Sequence, residues 1–202
     1  MKFLEDALAI EQELGRKEGE ARHLLNLGIV FQQQGKFKKA MKCYNDTLII
    51  HKEYGSKEGE AAALVNIGLL FKFQGKLEEA LQFHQKALAI HKKLKYKDGE
   101  AADLENISLI LYDQGKYEEA LKSLKMSFDI FDRLGIHIKS AVTLRNLGLM
   151  HIKLAEKKQW EKNCKLAKDY LELASKIAMR EEIYEIIDSI QETLELLRLI
   201  CY

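Results

Sequence analysis

Asn26, Asn66, Asn106 and Asn146 stand forty residues apart, and their side chains are the best candidates for chemistry in this sequence. Each amide carries two N–H donors and one carbonyl acceptor, the set that bonds the backbone of an extended peptide. Ile29, Leu69, Leu109 and Leu149 follow three positions after the asparagines. Gln32, Lys72, Tyr112 and Ile152 follow six positions after them. Leu25 and Val65 precede the first two, and Glu105 and Arg145 the others. Together they describe an apolar strip with mixed polar edges, suited to holding a peptide by area and a few hydrogen bonds. The competing account is structural. In it the amides bond their own scaffold, and the Leu strip is packing between neighbouring helices.

The remaining reactive side chains lack a catalytic spacing. His51 and His91 are forty residues apart, and His84 precedes His91 by seven. Their repetition assigns them to the scaffold. The chain has no His-Glu-x-x-His and no Cys-x-x-Cys, so no metal site is expected, and no cofactor. Gly28 and Gly68 fall inside helical patterns, and no Gly-x-x-x-x-Gly-Lys-Ser/Thr loop exists to cradle phosphate. Lys36, Lys76 and Lys116 read as solvated turn residues beside helix ends. No Ser–His–Asp arrangement can be assembled, and an enzyme is the least favoured class.

The asparagines belong to a repeat. The segments around them read HLLNLGIVF, ALVNIGLLF, DLENISLIL and TLRNLGLMH. The first three continue as GKFKKAMKCY, GKLEEALQFH and GKYEEALKSL. Self-similarity at such a period marks an array whose units bury their apolar faces against one another. In the second unit Ala61, Leu64, Ile67, Gly68 and Phe71 share one helical face. Gly75 ends that helix. Leu77, Ala80, Leu81, His84, Ala87, Leu88 and Ile90 line a second one. The pattern predicts helices over roughly 57–74, 77–94, 97–114 and 117–134, with no strands. Small residues recur at Gly28, Gly68, Ser108 and Gly148, and at Ala40, Ala80 and Ala120, where two backbones would approach closely. Phe31, Phe71 and Leu111 would fill the space beside them.

These motifs resemble the tetratricopeptide repeat. The resemblance rests on Leu24-Leu27-Gly28-Phe31 with Ala40 and Tyr44, on Leu64-Ile67-Gly68-Phe71 with Ala80 and Ala87, and on Leu104-Ile107-Ser108-Leu111 with Ala120. The period of forty and the absence of proline resemble the kinesin light chain and Pins-type subclass; the added residues lie in GRKEGE, GSKEGE and KYKDGE. The resemblance implies an all-α, right-handed α-solenoid of helix–turn–helix repeats with a C-terminal capping helix. It implies that first helices line a concave groove, with Asn66 and Asn106 near its middle. It also implies that the Asn column serves as a ladder along a bound peptide. The peptide-binding set is then Asn26, Asn66, Asn106, Asn146, Ile29, Leu69, Leu109, Lys72, Tyr112 and Arg145. The Lys–Asn–Arg clamp with which chaperone-tail readers of this fold grip a carboxylate is missing. Leu25, Ile29, Ala102 and Asn106 stand at its positions, and only Asn66 fits.

Residues 1–20 match a second helix and linker, so the chain opens on a half repeat. Repeats follow at 21–60, 61–100 and 101–140, an irregular fourth at 141–180, and a capping helix at 181–202. In the fourth, aligning Ala167, Leu171, Ala174 and Ile177 with Ala80, His84, Ala87 and Ile90 leaves seven extra residues around Trp160. Ile183, Ile186, Ile187, Ile190, Leu194 and Leu197 keep helical spacing in the last segment. Phe3, Leu4, Ala7, Leu8 and Ile10 form an apolar edge that favours a weak homodimer. The half repeat also suggests a fragment of a longer array or a truncated domain.

A net charge of +1 makes no electrostatic case for nucleic acid or an anionic membrane. The N-terminus lacks a signal-peptide pattern, and no apolar run reaches the length of a span. Cys43, Cys164 and Cys201 are odd in number and scattered, which suits a reducing cytoplasm better than a disulfide framework. The expected function is an adaptor that binds a peptide segment of another protein. The alternatives are the sensory part of a larger peptide-responsive regulator, and a self-assembly module.

Overall fold

The computed structural model describes residues 2–201. Among the described residues are ten α-helices and no strand. They are α1 (Lys2–Glu13), α2 (Lys17–Gln33), α3 (Phe37–Glu53), α4 (Lys57–Phe73), α5 (Leu77–Leu94), α6 (Lys97–Asp113), α7 (Tyr117–Arg133), α8 (His137–Ala155), α9 (Trp160–Arg180) and α10 (Tyr184–Cys201). The chain is an all-α solenoid of tandem helical repeats. Its helices fall into two compact units, Met1–Tyr96 and Lys97–Tyr202. Among the described residues no helix is long and apolar enough to cross a membrane.

The helices stop where the backbone chemistry requires. Gly75 adopts φ +72°, a conformation that a side chain disfavours. Its N–H bonds Lys72 O at 2.9 Å, and Lys76 N–H bonds Phe71 O at 2.9 Å. Those two bonds satisfy carbonyls at the end of α4 and turn the chain towards α5. The segments GRKEGE and GSKEGE hold helical turns as well as the connection, since α2 opens at Lys17 and α4 at Lys57. The added residues of each repeat therefore lengthen the first helix. Gly59 lies in that extension because His51 of α3 rests against it; a methyl there would overlap the imidazole.

In unit 1, α2 packs on α3, α3 on α4, and α4 on α5. One core holds Ala21, Leu24, Leu27, Cys43 and Ile50, and a second holds Ala40, Tyr44, Ile67 and Leu70. The small positions do what their spacing predicts. A Cβ at Gly28 would overlap the Tyr44 ring, and one at Gly68 would stand 2.8 Å from His84 Cδ2. Tyr44 is fully buried and reaches a partner by donating its hydroxyl to Gln32 Oε1 at 3.0 Å. Burial, and then the neighbouring Cys43, push its phenol up to about 12. The N-terminal edge is divided. Leu4 and Leu8 pack against the first core, while Phe3 and Ile10 are exposed.

In unit 2, α6 packs on α7, α7 on α8, α8 on α9, and α10 on both α8 and α9. A Cβ at Gly148 would stand 2.7 Å from Leu171 Cγ, repeating the contact of unit 1. The seven extra residues of the fourth repeat are distributed. Compared with α4 and α5, two extend the end of α8, one lengthens the turn, and four extend the start of α9. The terminal helix buries Ile190 and Leu197.

The reading of the cysteines is corrected. Cys164 and Cys201 form a disulfide between α9 and α10, with Cα atoms 5.8 Å apart. A separation of 37 residues hides a pairing that only the return of α10 creates. Cys43 alone is a free thiol among the described cysteines, and it is buried. Cysteine usage therefore no longer argues for a reducing compartment.

Two outcomes are expected. Gly28→Ala should destabilise the fold by about 1–3 kcal/mol, because the overlap with Tyr44 outweighs the gain in helix propensity. Urea unfolding checks this, and Tyr44→Leu in the same chain should recover part of the loss. Cys164→Ser should lower stability by about 2–4 kcal/mol, the usual value of closing a loop of this length. A melting temperature unchanged by the substitution would contradict it.

Candidate peptide-binding face

The first helices carry the asparagines. In unit 1 these are α2 and α4, which touch each other. Asn26 is exposed on α2, and Asn66 is half-buried on α4. Asn66 donates one amide hydrogen to Ala62 O, one turn back, at 2.9 Å. That bond fixes the rotamer and leaves the second hydrogen and Oδ1 without a hydrogen bond among the described residues. Ile29 is half-buried and packs with Leu25 against the Ala40, Tyr44, Ile67 and Leu70 core. It therefore serves the scaffold and the surface together. Leu69 is half-buried, as is Lys72, which is engaged within the chain.

In unit 2 the first helices are α6 and α8. Asn106 repeats the back-bond of Asn66, donating to Ala102 O at 3.1 Å. Leu109 is half-buried. Tyr112 meets Tyr117 edge to face at 5.3 Å between ring centroids. Burial first, then the neighbouring Tyr117, Asp113 and Glu156, raise the Tyr112 phenol above its ordinary range.

The fourth asparagine is held differently. Asn146 donates to Glu105 Oε1 at 3.3 Å and accepts from Arg145 Nη1 at 3.0 Å. Arg145 Nε donates to Ser189 O of α10 at 3.3 Å. Glu105, Asn146, Arg145 and the α10 backbone thus form one chain of polar contacts. Burial raises the Glu105 carboxyl above the ordinary carboxylate range, against the bond from Asn146 and the charge of Lys139. Sequence reasoning placed Glu105 beside the column without a role. The signal was its charge, where Leu25 and Val65 stand in earlier repeats. Ile152 is corrected from groove edge to core. It is fully buried in α8, which packs against α7, α9 and α10.

The histidines lie in the packing. His84 is fully buried against Gly68, and His91 is buried with Tyr96 edge-on at 5.4 Å. His151 pairs with Asn163 through Nδ1 at 2.9 Å and stacks on Tyr170. Burial lowers its affinity for a proton despite that hydrogen bond. Among the described residues no group of three or more His, Cys, Asp or Glu is placed to hold a metal ion.

Comparison with known proteins agrees with the repeat architecture. A tetratricopeptide repeat model matches residues 21–93, and a second matches 104–131. Together they span half of the chain, which belongs to the tetratricopeptide repeat family. No curated protein matches the sequence. Among solved structures the chain is similar to aspartyl phosphate phosphatase F from Bacillus subtilis, with TM-score 0.87 and 17% identity over 97% of this chain. It spans 50% of that protein's length. BtubC from P. vanneervenii gives TM-score 0.75 at 17% identity, covering 96% of this chain and 81% of that one. Kinesin-light-chain repeats from Podosopora anserina give 0.64 at 16% identity, covering 89% and 93%. At these identities the likeness is one of fold.

The raised Glu105 carboxyl sets a sign for pH dependence. The folded state holds the proton more tightly than the unfolded chain, so folding binds protons in this window. The contribution of Glu105 is fully present below the ordinary carboxylate range and is lost as pH rises through its raised value. Glu105→Gln should therefore flatten this part of the stability–pH curve and gain on the native protein towards neutral pH. Chemical denaturation at a series of pH values, from the ordinary carboxylate range of about 4 upwards, reads the difference. Parallel curves for the two proteins would contradict the assignment.

Proposed function

We infer that the chain is a protein-interaction scaffold, the role that membership of the tetratricopeptide repeat family supports. We propose that it acts without catalysis, by binding a peptide segment of a partner protein along the surface lined by its first helices. The supporting observation is the state of Asn66 and Asn106. Each amide is half-buried and fixed by a single back-bond, which leaves one donor and one acceptor for a ligand backbone. The half-buried Ile29, Leu69 and Leu109 beside them supply apolar contact, and Lys72, Tyr112 and Arg145 edge the surface. Asn26 and Asn146 extend the column, the latter already joined to Glu105.

A second reading takes the same surface as the sensory part of a larger peptide-responsive regulator. It draws on the likeness to aspartyl phosphate phosphatase F, whose length the chain half spans. Small-angle scattering separates the two, since a sensor should contract when its peptide binds and a passive adaptor should not.

The test is capture of partners from extract of the source cell by the native chain and by Asn26→Ala with Asn66→Ala. One lost peptide hydrogen bond costs about 0.5–1.5 kcal/mol, so the pair should weaken binding about tenfold. Melting should stay close to native, and Lys36→Ala should change little. Normal binding by the double variant would remove the column from the site. Early melting would return it to the scaffold.

A further inference from the structure

We propose that unit 1 carries a second interaction surface, on its second helices, which docks an acidic amphipathic helix of a partner protein. The helices α3 and α5 both pack on α4, and between them runs an open trough. It consists of adjoining cavities of about 530, 520 and 390 Å³. The first two share Asn45 and Phe83, and the last two share Ala89 and Ile90. The trough follows α3 from Phe37 to Lys52. At 1.5 Å per residue this is roughly 22 Å, about four turns of a docked helix.

The floor is apolar, formed by Met41, Leu48, Phe71, Phe83 and Ile90. All five are half-buried. Phe71 and Phe83 stack at 5.4 Å. Phe83 is not demanded by the repeat, since Cys43 and Ser123 stand forty residues to either side. The Phe83 ring packs one edge on the core, and its half-buried remainder widens the apolar floor.

The rim supplies the choice of partner. Lys38, Lys52, Lys57, Lys76, Lys86 and Lys93 line the three cavities. The one carboxylate among the lining residues, Glu60, is paired with Lys57 at 2.6 Å. The whole chain carries a net charge of only +1, so this gathering of lysines is local. Lys76 and Lys86 lie over the Phe71 and Phe83 rings at 5.7 and 4.8 Å, which holds their charge at the edge of the floor. An amphipathic helix places apolar residues at i, i+3, i+4 and i+7 on such a floor. Acidic residues on its flanks would meet the lysines, and charge complementarity sets orientation and encounter rate. Nucleic acid fits less well. Its phosphates would use the lysines but not the floor, and the two rings already face each other.

The experiment uses the full chain and a synthetic 18-residue helical peptide, roughly five turns long. The peptide carries Leu at the i, i+3, i+4 and i+7 positions and Glu on its flanks. Fluorescence anisotropy is read at low and high salt, beside a control peptide with Lys for Glu, an oligo(dT) and phosphatidylserine vesicles. The acidic peptide should bind, and the basic one should not. Lys52→Glu with Lys86→Glu should weaken binding at least tenfold without moving the melting temperature, and Phe83→Ser should weaken it as much while lowering that temperature, since the ring also packs on the core. Asn26→Ala with Asn66→Ala should leave it intact, so this surface stands or falls independently of the first-helix face. Binding insensitive to both the rim and the floor variants would overturn the proposal. So would binding of oligo(dT) or vesicles in preference to the peptide, or a dimer abolished by Phe83→Ser, which would assign the trough to a second copy.

Discussion

The contact on which the repeats depend is the approach of each first helix to its own second helix at a residue without room for a larger side chain. Gly28 meets Tyr44, Gly68 meets His84, and Gly148 meets Leu171. A large group from one helix fills the notch left by a small group on the other, and both lose water in the process. Because the notch is local, each pair can be built with a different large residue. A hydroxyl adds a second link: Ser127 donates to Ala101 O at 2.8 Å, which joins a second helix to the first helix of its repeat and uses a buried hydroxyl that would otherwise cost stability. Thr47 spends its one hydrogen on Cys43 O of its own helix at 2.9 Å.

Such a packing rule explains what could be read from the chain alone. A notch must recur at the period of the repeat, so Gly28, Gly68, Ser108 and Gly148 show themselves by spacing. The helices follow for the same reason, and α4, α5, α6 and α7 end within a residue of their expected limits. Features that break the period were hidden. The Cys164–Cys201 bond depends on α10 returning to α9, which no local pattern encodes. Ile152 shares a register with Gln32, Lys72 and Tyr112 but sits in a helix packed by three others. Position in the repeat predicts which face a residue takes, not how many neighbours cover that face.

The asparagine column shows the same limit in its polar chemistry. Identity and spacing are repeated, yet the hydrogen bonds are not. Asn66 and Asn106 turn back on their own helices, while Asn146 joins Glu105 and Arg145. The difference comes from neighbours outside the repeat pattern: a carboxylate in place of Leu25 and Val65, and an arginine anchored to Ser189. An amide with one bond already made is better fixed than a free one and loses less rotamer entropy when a ligand arrives. Two bonds to charged side chains act the other way, because a peptide bound as proposed would have to compete with them. The column is therefore uniform in sequence and varied in its hydrogen bonding.

The two faces of unit 1 proposed to meet partners are marked differently in the sequence. Asn26 and Asn66 lie on first helices, which sequence periodicity marks by identical residues at each turn of the repeat. The trough between α3 and α5 is marked instead by departure from the repeat, through Phe83 between Cys43 and Ser123. Recurrence points to residues that a scaffold requires or that a long ligand meets again and again. Singularity points to a contact made once. An apolar side chain left half-buried at a singular position costs little in stability, since its inner edge still packs on the core. Its outer face is then open to be shaped by whatever binds there, without altering the notch that holds the helices together.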